Sequence, residues 1–342
     1  MIAFWYGAVA AMLVVYVVLD GFDFGVGALH LFVGRDDRER RQVLATIGPV
    51  WDGNEVWLIA AGTTLFFAFP DAYATGFSGF YLPLMLVLWL LVLRGISIEL
   101  RSHLGDPLWR AFWDATLCGS SALMAVVLGA ALGNVLRGVP IDASGSFLAP
   151  WFTQFRARGE AGVLDWYTVL LGVFALIALG AHGALWLVYR TDGAVQARAH
   201  AAARVLWPLV ALAGIGAIVA TGVVRPALYA RLFERTWAWP LALLAFGGLV
   251  GAFVFRARGR ERAAFLSSSA FLAGTLLATA ASLFPVLLPS TIDPAYDVTA
   301  AGSAAGPHGL RVGLGWWGIG IPLAAAYTTC VFRTMRGKAA AG

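Results

Sequence analysis

The chain has 342 residues, of which 60% are hydrophobic and 13% are charged, and its formal net charge is +5. A soluble domain averages about 45–50% apolar and about 25% charged residues, so a soluble enzyme, a disordered protein and a nucleic-acid-binding protein all fit this composition poorly. The positive charge is better explained by basic residues that are kept at one membrane face. Cys118 and Cys330 lie in apolar runs and offer neither a disulfide framework nor the spacing of a metal site.

Nine apolar runs are long enough to cross a bilayer, which takes about 20 helical residues. They cover residues 4–33, 47–69, 77–100, 111–136, 166–189, 205–224, 238–255, 263–285 and 312–332. The chain is therefore predicted to be an all-α integral membrane protein with nine transmembrane helices in one polytopic domain, 1–342. We expect two four-helix bundles, 1–136 and 166–285, and a peripheral ninth helix, 312–332, although no internal repeat marks that division.

The distribution of basic residues predicts the orientation. The loops after the odd-numbered spans and the C-terminus hold 16 of the 24 basic residues, the opposite loops hold 7, and Arg94 lies within a span. The positive-inside rule then places the N-terminus outside and the C-terminus in the cytoplasm of a bacterial inner membrane. A cleaved signal peptide is a poor alternative, because residues 1–10 contain no basic residue.

The first span contains an acidic and histidine-bearing face in the stretch VVLDGFDFGVGALHLF, residues 17–32. Asp20, Asp23, Gly27 and His30 follow helical spacing, so they share one face that extends for about 15 Å. A charge at mid-bilayer costs at least about 2.5–3.5 kcal/mol, so ionisable residues here are functional candidates by default. We also expect glycines in 21–27 to interrupt or kink the helix and to let a neighbouring helix approach closely.

The second span begins IGPVWDGNEVWLI, residues 47–59. Asp52 and Glu55 are three residues apart and share one helical face near the cytoplasmic end. Trp51 and Trp57 flank them as expected for interfacial aromatics, and Asn54 completes this interfacial motif. Asp52 is predicted to admit protons, because it is shallow enough to meet water.

The third span ends VLRGISIELR, in which Arg94 and Arg101 share a face and Glu99 lies near the helix end. Four acids of the first two spans therefore face one base, and they cannot all stay ionised at low dielectric. Reversible proton transfer is one interpretation. A structural ion pair of Arg94 is the second, and cation binding is the third. Asp23 is the expected partner of Arg94, because the two residues lie at similar depth.

Histidines suggest a weaker alternative, a haem between His30 and His182, since bundle cores host cofactors. No second buried histidine pair or methionine candidate supports axial ligation. The DGFDFG stretch lacks the alternating oxygen ligands of a calcium loop. We therefore expect no metal site and no haem bound directly in this chain.

Five segments resemble subunit II of the cytochrome bd quinol oxidases, and the similarity covers the chain from end to end. These segments are LDGFDFGVG at 19–27, IGPVWDGNEVWLI at 47–59, FSGFYLPL at 77–84, LRGISIELR at 93–101 and LFPVLLPST at 283–291. The last loop, which ends GPHGLR, departs from the Ser- and Thr-rich pattern of that family.

The resemblance implies a subunit of a respiratory terminal oxidase that oxidises quinol, reduces O2 to water and generates a proton gradient without pumping. It places the haems of types b and d in a partner, subunit I, and leaves no catalytic residue in this chain. A small single-helix subunit is a further candidate partner. The family's acids map to Asp23 and Asp52 and its intramembrane arginine to Arg94, as proton-route or structural residues.

Two other functions stay open on the sequence alone. A proton-coupled secondary transporter would share the buried acids, but it should show helices broken at matching positions of two repeats. A purely structural assembly subunit would use Asp23, Asp52 and Arg94 as a buried network with no proton traffic.

Overall fold

The structure is a computed structural model that describes residues 1–153, 155–156, 160–335 and 337–339. The basic residues Arg158 and Arg336 and the end of the predicted 1–342 domain lie outside this range. The helices are α1 (Ile2–Val33), α2 (Asp37–Ala45), α3 (Trp51–Ala68), α4 (Pro70–Gly79), α5 (Tyr81–Leu100), α6 (Pro107–Arg137), α7 (Trp166–Arg190), α8 (Gly193–Val224), α9 (Ala227–Glu234), α10 (Trp239–Ala257), α11 (Glu261–Leu283) and α12 (Pro307–Thr334). Strands β1 (Val286–Leu288) and β2 (Val298–Thr299) pair antiparallel in the loop before α12.

Seven segments of the described chain are long and apolar enough to cross a membrane. They are α1, α5, α6, α7, α8, Thr236–Ala257 and α11. The predicted helical membrane fold is therefore confirmed, whereas the count of nine stays a prediction. The two other expected spans contain α3 and α12. Polar residues in the first turns of α3 and the many glycines of α12 lower their apolar character.

Three expected details of the helices are wrong. The glycine-rich stretch 21–27 does not interrupt the first span, because α1 runs continuously from Ile2 to Val33. The predicted span 77–100 is instead divided at Phe80, where α4 ends and α5 begins. The helix expected over 263–285 ends at Leu283, before the chain enters β1.

Helix α1 lies at the centre of the fold and packs against α3, α6, α7 and α11. Its closest neighbour is α7, because a β-carbon on Gly25 would overlap the backbone of Leu179 and Gly183. The small side chains therefore let the two backbones touch, as expected for membrane helices. This contact joins the two halves of the chain, and their division into bundles stays a prediction.

Candidate functional site: buried ion pairs on the first helix

The central feature of the site is Arg94 on α5, which is buried between two acids. Its Nη1 donates a hydrogen bond to Asp20 Oδ1 over 2.5 Å, and its Nη2 donates to Glu55 Oε1. The guanidinium also lies over the ring of Phe24, with Cζ 4.3 Å from the ring centroid. Three helices, α1, α3 and α5, are tied together by this one side chain, which is 1% exposed.

The predicted pairing of Arg94 with Asp23 is wrong. Asp23 Oδ2 instead accepts a hydrogen bond from Asn54 Nδ2 over 2.7 Å. Asn54 also reaches the carbonyl of Leu19 at 3.4 Å. Helical rotation explains the difference, since Asp20 faces α5 whereas Asp23 faces α3. Within the described chain Asp23 is fully buried and has no basic partner in a salt bridge.

The site reaches the surface of the chain through α3. Of the three ion-paired residues Asp20, Arg94 and Glu55, Glu55 is the partly exposed one, with 21% of its side chain accessible. Asp52 is exposed one turn earlier and forms no side-chain hydrogen bond or salt bridge with the described residues. Trp51 packs over Gly95, and Trp57 is nearly buried. Trp51 therefore packs α3 against α5, whereas Asn54 joins α3 to α1.

Glu99 does not belong to this group of residues. It is exposed on α5, and its backbone carbonyl, rather than its carboxylate, contacts His103 Nδ1 at 2.9 Å. The prediction that included Glu99 in the buried network is therefore wrong. Arg94, Ile98 and Arg101 are buried on one side of this helix, and Glu99 projects from a different side, which explains the exposure.

A second ion cluster lies at the end of α1, about 15 Å along the helix from Asp20. His30 Nε2 contacts Asp114 Oδ1 on α6 at 2.6 Å. The same carboxylate accepts from Arg101 Nε at 2.5 Å and from Arg40 Nη1 at 2.9 Å. Asp37 extends the cluster, because it pairs with Arg101 at 2.9 Å. This cluster fastens α1, α2 and α6 to the segment that follows α5.

Sequence reasoning missed Asp114, although a signal was present. Asp114 is an acid inside the predicted span 111–136, and it is fully buried in the structure. The rule that singled out Asp20 and Asp23 therefore applies to it equally. Arg40 and Asp37 offered no such signal, because they lie in a loop sequence with many charges.

Each of the two histidines considered as haem ligands has at least one ring nitrogen in contact with another polar group. His182 Nδ1 contacts Ser268 Oγ at 2.6 Å, and its Nε2 contacts the carbonyl of Val18 at 3.0 Å. Its ring stacks on Phe265. Both ring nitrogens of His182 are therefore engaged by other groups, and Asp114 engages Nε2 of His30. Within the described residues no group of three or more His, Cys, Asp or Glu side chains could hold a metal ion.

Comparison with known proteins identifies the family. Residues 1–335 match the family described as cytochrome bd terminal oxidase subunit II. A probable cytochrome oxidase subunit 2 of Haemophilus influenzae is 33% identical over 98% of this chain and 94% of its own length. The cytochrome bd ubiquinol oxidase subunit 2 of Bacillus subtilis is 34% identical over 90% of this chain and 88% of its own.

A third relative and a solved structure agree with that assignment. The cytochrome bd-I ubiquinol oxidase subunit 2 of Escherichia coli K12 is 34% identical over 84% of this chain and 81% of its own length. A structure of bd oxidase from Geobacillus thermodenitrificans has the same fold, with a TM-score of 0.74 at 19% identity over 97% of this chain and 98% of that one. The chain therefore belongs to the cytochrome bd terminal oxidase subunit II family, which makes it a multi-pass bacterial inner-membrane subunit of a haem-carrying oxidoreductase complex that also contains a subunit I.

Proposed function

We propose that the chain is the non-haem subunit of a terminal oxidase that oxidises quinol and reduces O2 to water. In this proposal subunit I holds the haems and the quinol site, and this chain supports it and carries protons from the cytoplasm toward it. Protons are consumed from one side only, which generates a gradient without pumping. The curated relatives named as ubiquinol oxidase subunits support a quinol as the electron donor.

The observation that carries the proton-route proposal is the line of carboxyl groups from the surface of α3 to the centre of α1. Glu55 is partly exposed, and Arg94 joins it directly to the fully buried Asp20. Asp23 lies one turn away on the same helix and has no cation of its own within the described chain. Buried carboxyl groups of this kind in membrane helices mark proton relays.

The proposal includes nine transmembrane helices, counting α3 and α12, with the N-terminus outside. Helix α3 packs along α1, which supports its placement in the membrane. Shielding of the polar first turns of α3 by α1 and α5 supports membrane insertion despite their charge. The transporter alternative loses its main signal, because α1 is unbroken.

An Asp23→Asn substitution in the intact complex tests the proton route. Asparagine keeps the shape of the side chain and can still bind Asn54, but it cannot gain and lose a proton. We expect quinol-driven O2 consumption to fall at least about tenfold, which corresponds to about 1.4 kcal/mol in the barrier, with haem content and subunit association unchanged. The matched control is Asp142→Asn, which changes an exposed acid in the loop after α6.

The structural alternative gives a different pattern of results. If Asp23 only stabilises helix contacts, the variant will lose haem and subunit association together, and the complexes that remain will turn over normally. Full activity with full assembly would remove Asp23 from the route. Expression of this chain alone should give no haem spectrum, and a complete set of haem bands without subunit I would contradict the division of roles.

A further inference from the structure

Five buried polar atoms without a hydrogen-bond partner in the described chain follow one face of α1. They are the Tyr16 hydroxyl, Asp20 Oδ2, Asp23 Oδ1, Ser121 Oγ and His30 Nδ1. An unpartnered buried polar atom is unusual and calls for an explanation. Four of the five belong to α1 itself, and the fifth comes from α6 at the level where α1 has a glycine.

The side chain of Ser121 on α6 fills the space beside Gly27 on α1. Its hydroxyl lies against the Cα of Gly27, in the space that a β-carbon would occupy. Ser121 is fully buried, and its Oγ has no partner in the described residues. The polar positions on this face therefore follow one another every three or four residues from His30 to Tyr16.

His30 closes the row at the end of α1 and has a defined chemistry. Asp114 on α6 binds Nε2, and the same carboxylate accepts from the guanidinium groups of Arg101 and Arg40. An ionised carboxylate only accepts hydrogen bonds, so Nε2 carries a proton and Nδ1 is the atom at which the ring can gain and lose one. Arg40 is 26% exposed, which brings this cluster to the protein surface.

We propose that His30 and Ser121 form a second proton entrance that joins Asp23 from the α1–α6 interface, separate from the Glu55 entrance on α3. This inference rests on the proposed proton route, and it adds residues that the route's carboxyl groups do not include. A proton from the cytoplasm binds His30 Nδ1, the adjacent Asp114 stabilises the imidazolium, and the same nitrogen then releases the proton toward Ser121 and Asp23.

The spacing of these groups suits stepwise transfer. Three or four residues of helix correspond to a rise of about 4.5–6 Å, a distance that one bridging water molecule covers. The hydroxyl of Ser121 both donates and accepts a hydrogen bond, so it can pass a proton along without changing charge. Gly27 is required for this arrangement, because any β-carbon there would displace the hydroxyl.

The test compares Ser121→Ala with Ser120→Ala in the purified complex reconstituted into lipid vesicles, each alone and together with Asp52→Asn. Ser120 is the matched control, because its hydroxyl already bonds the carbonyl of Leu117 and is not on this face. Asp52→Asn removes the exposed acid one turn before Glu55, and a fall in the turnover of this variant alone shows that the α3 entrance is impaired. O2 turnover and proton uptake by a trapped dye are measured with haem content.

With both entrances open, we expect Ser121→Ala to slow turnover less than about twofold relative to Ser120→Ala, a small barrier change. In the Asp52→Asn background, turnover of the Ser121→Ala variant should be at least about tenfold below that of the Ser120→Ala variant, which is about 1.4 kcal/mol in the barrier. His30→Gln, which can keep the bond to Asp114 but cannot relay a proton, should give the same pattern. Haem content should be equal throughout.

The second entrance is overturned if Ser121→Ala and His30→Gln both turn over as fast as Ser120→Ala, with and without Asp52→Asn. That result is distinguishable from failure of the whole route. If the route fails, Asp23→Asn is fully active, whereas failure of the second entrance alone leaves Asp23→Asn slow.

Discussion

Arg94 Nη1 and Asp20 Oδ1 lie 2.5 Å apart, although their residues are 74 positions apart in the chain, and neither side chain is more than 1% exposed. Loss of one partner would leave the other as an uncompensated buried charge. Breaking such a pair costs about 3–5 kcal/mol. We therefore expect Arg94→Leu to assemble poorly, as measured by recovery of the haem-containing complex and its thermal stability.

Combining Arg94→Leu with Asp20→Asn should partly restore assembly, because the unpaired charge is then removed as well. Combining it with Asp23→Asn should restore less, since Asn54 rather than Arg94 binds that acid. Equal recovery from both double variants would show that the Arg94 charge is shared between the two acids, and no recovery from either would show that Arg94 acts through packing on Phe24.

Asp52→Asn should slow O2 turnover about tenfold while haem content and subunit association stay intact. The position is exposed on α3, so the substitution disturbs no described side-chain contact. The deficit should grow as pH rises, because proton supply then limits the reaction. Turnover is measured across a pH series in membrane vesicles, and full activity at every pH would show that Asp52 is not on the path.

Gly25→Ala should destabilise the contact between α1 and α7. A β-carbon at this position meets the carbonyl of Leu179 and the backbone of Gly183, neither of which is a flexible side chain. Overpacking of this kind costs about 1–3 kcal/mol or more. Thermal unfolding of the complex measures the loss, and Gly7→Ala serves as control, because a β-carbon there meets nothing within 4 Å.

The predicted orientation can be checked with reporters at both ends. A reporter fused after the C-terminus should be active in the cytoplasm, and one fused before Met1 should be active outside. An even number of spans would put both reporters on one side, whereas reversed orientation would exchange their activities. Seven and nine spans give the same result, so reporters in the loops before and after α3 are needed to count them.

Glu39 on α2 accepts a hydrogen bond from Arg198, and that bond lowers the pKa of the Glu39 carboxyl. A lowered pKa stabilises the folded state above the ordinary glutamate range of about 4.3, and the contribution is lost as pH falls through the lower value. Glu39→Gln should therefore reduce stability by about 0.2–1 kcal/mol at pH 7, as for a surface ion pair, and the difference should disappear in acid, once the pH lies below the lowered pKa of Glu39.

Glu234→Gln is the matched control for this comparison, because Glu234 is exposed at the end of α9 and forms no salt bridge within the described residues. Thermal unfolding curves of both variants at pH 7 and at acidic pH measure the difference. A Glu39→Gln deficit that persists unchanged in acid would show that the side chain acts by packing rather than by charge.

Hydropathy and charge were enough to predict the membrane fold and the acids of α1 and α3, since each rule depends on residues close in sequence. The predicted partner of Arg94 was wrong because depth along a helix does not determine which neighbouring helix a side chain faces. Asp20 and Asp23 differ by three residues, so their side chains project about 60° apart around the helix axis, which is enough for Asp20 to meet Arg94 of α5 and for Asp23 to meet Asn54 of α3. Likewise, the polar residues of α3 lower its hydropathy. Asn54 and Glu55 bind partners on α1 and α5, and a hydropathy scale does not count such hydrogen bonds.

The position of Asp114 in the chain has a consequence for biogenesis. His30, Arg40 and Arg101 are all synthesised before the one carboxylate that binds them together. While the ribosome is still translating α6, the end of α1, α2 and the loop after α5 hold more positive than negative charge in this cluster, because Asp37 is the one carboxylate of the cluster already synthesised. Arrival of Asp114 neutralises this excess and joins four segments at once, so insertion of α6 is the step at which the N-terminal half of the subunit becomes fixed on its cytoplasmic side.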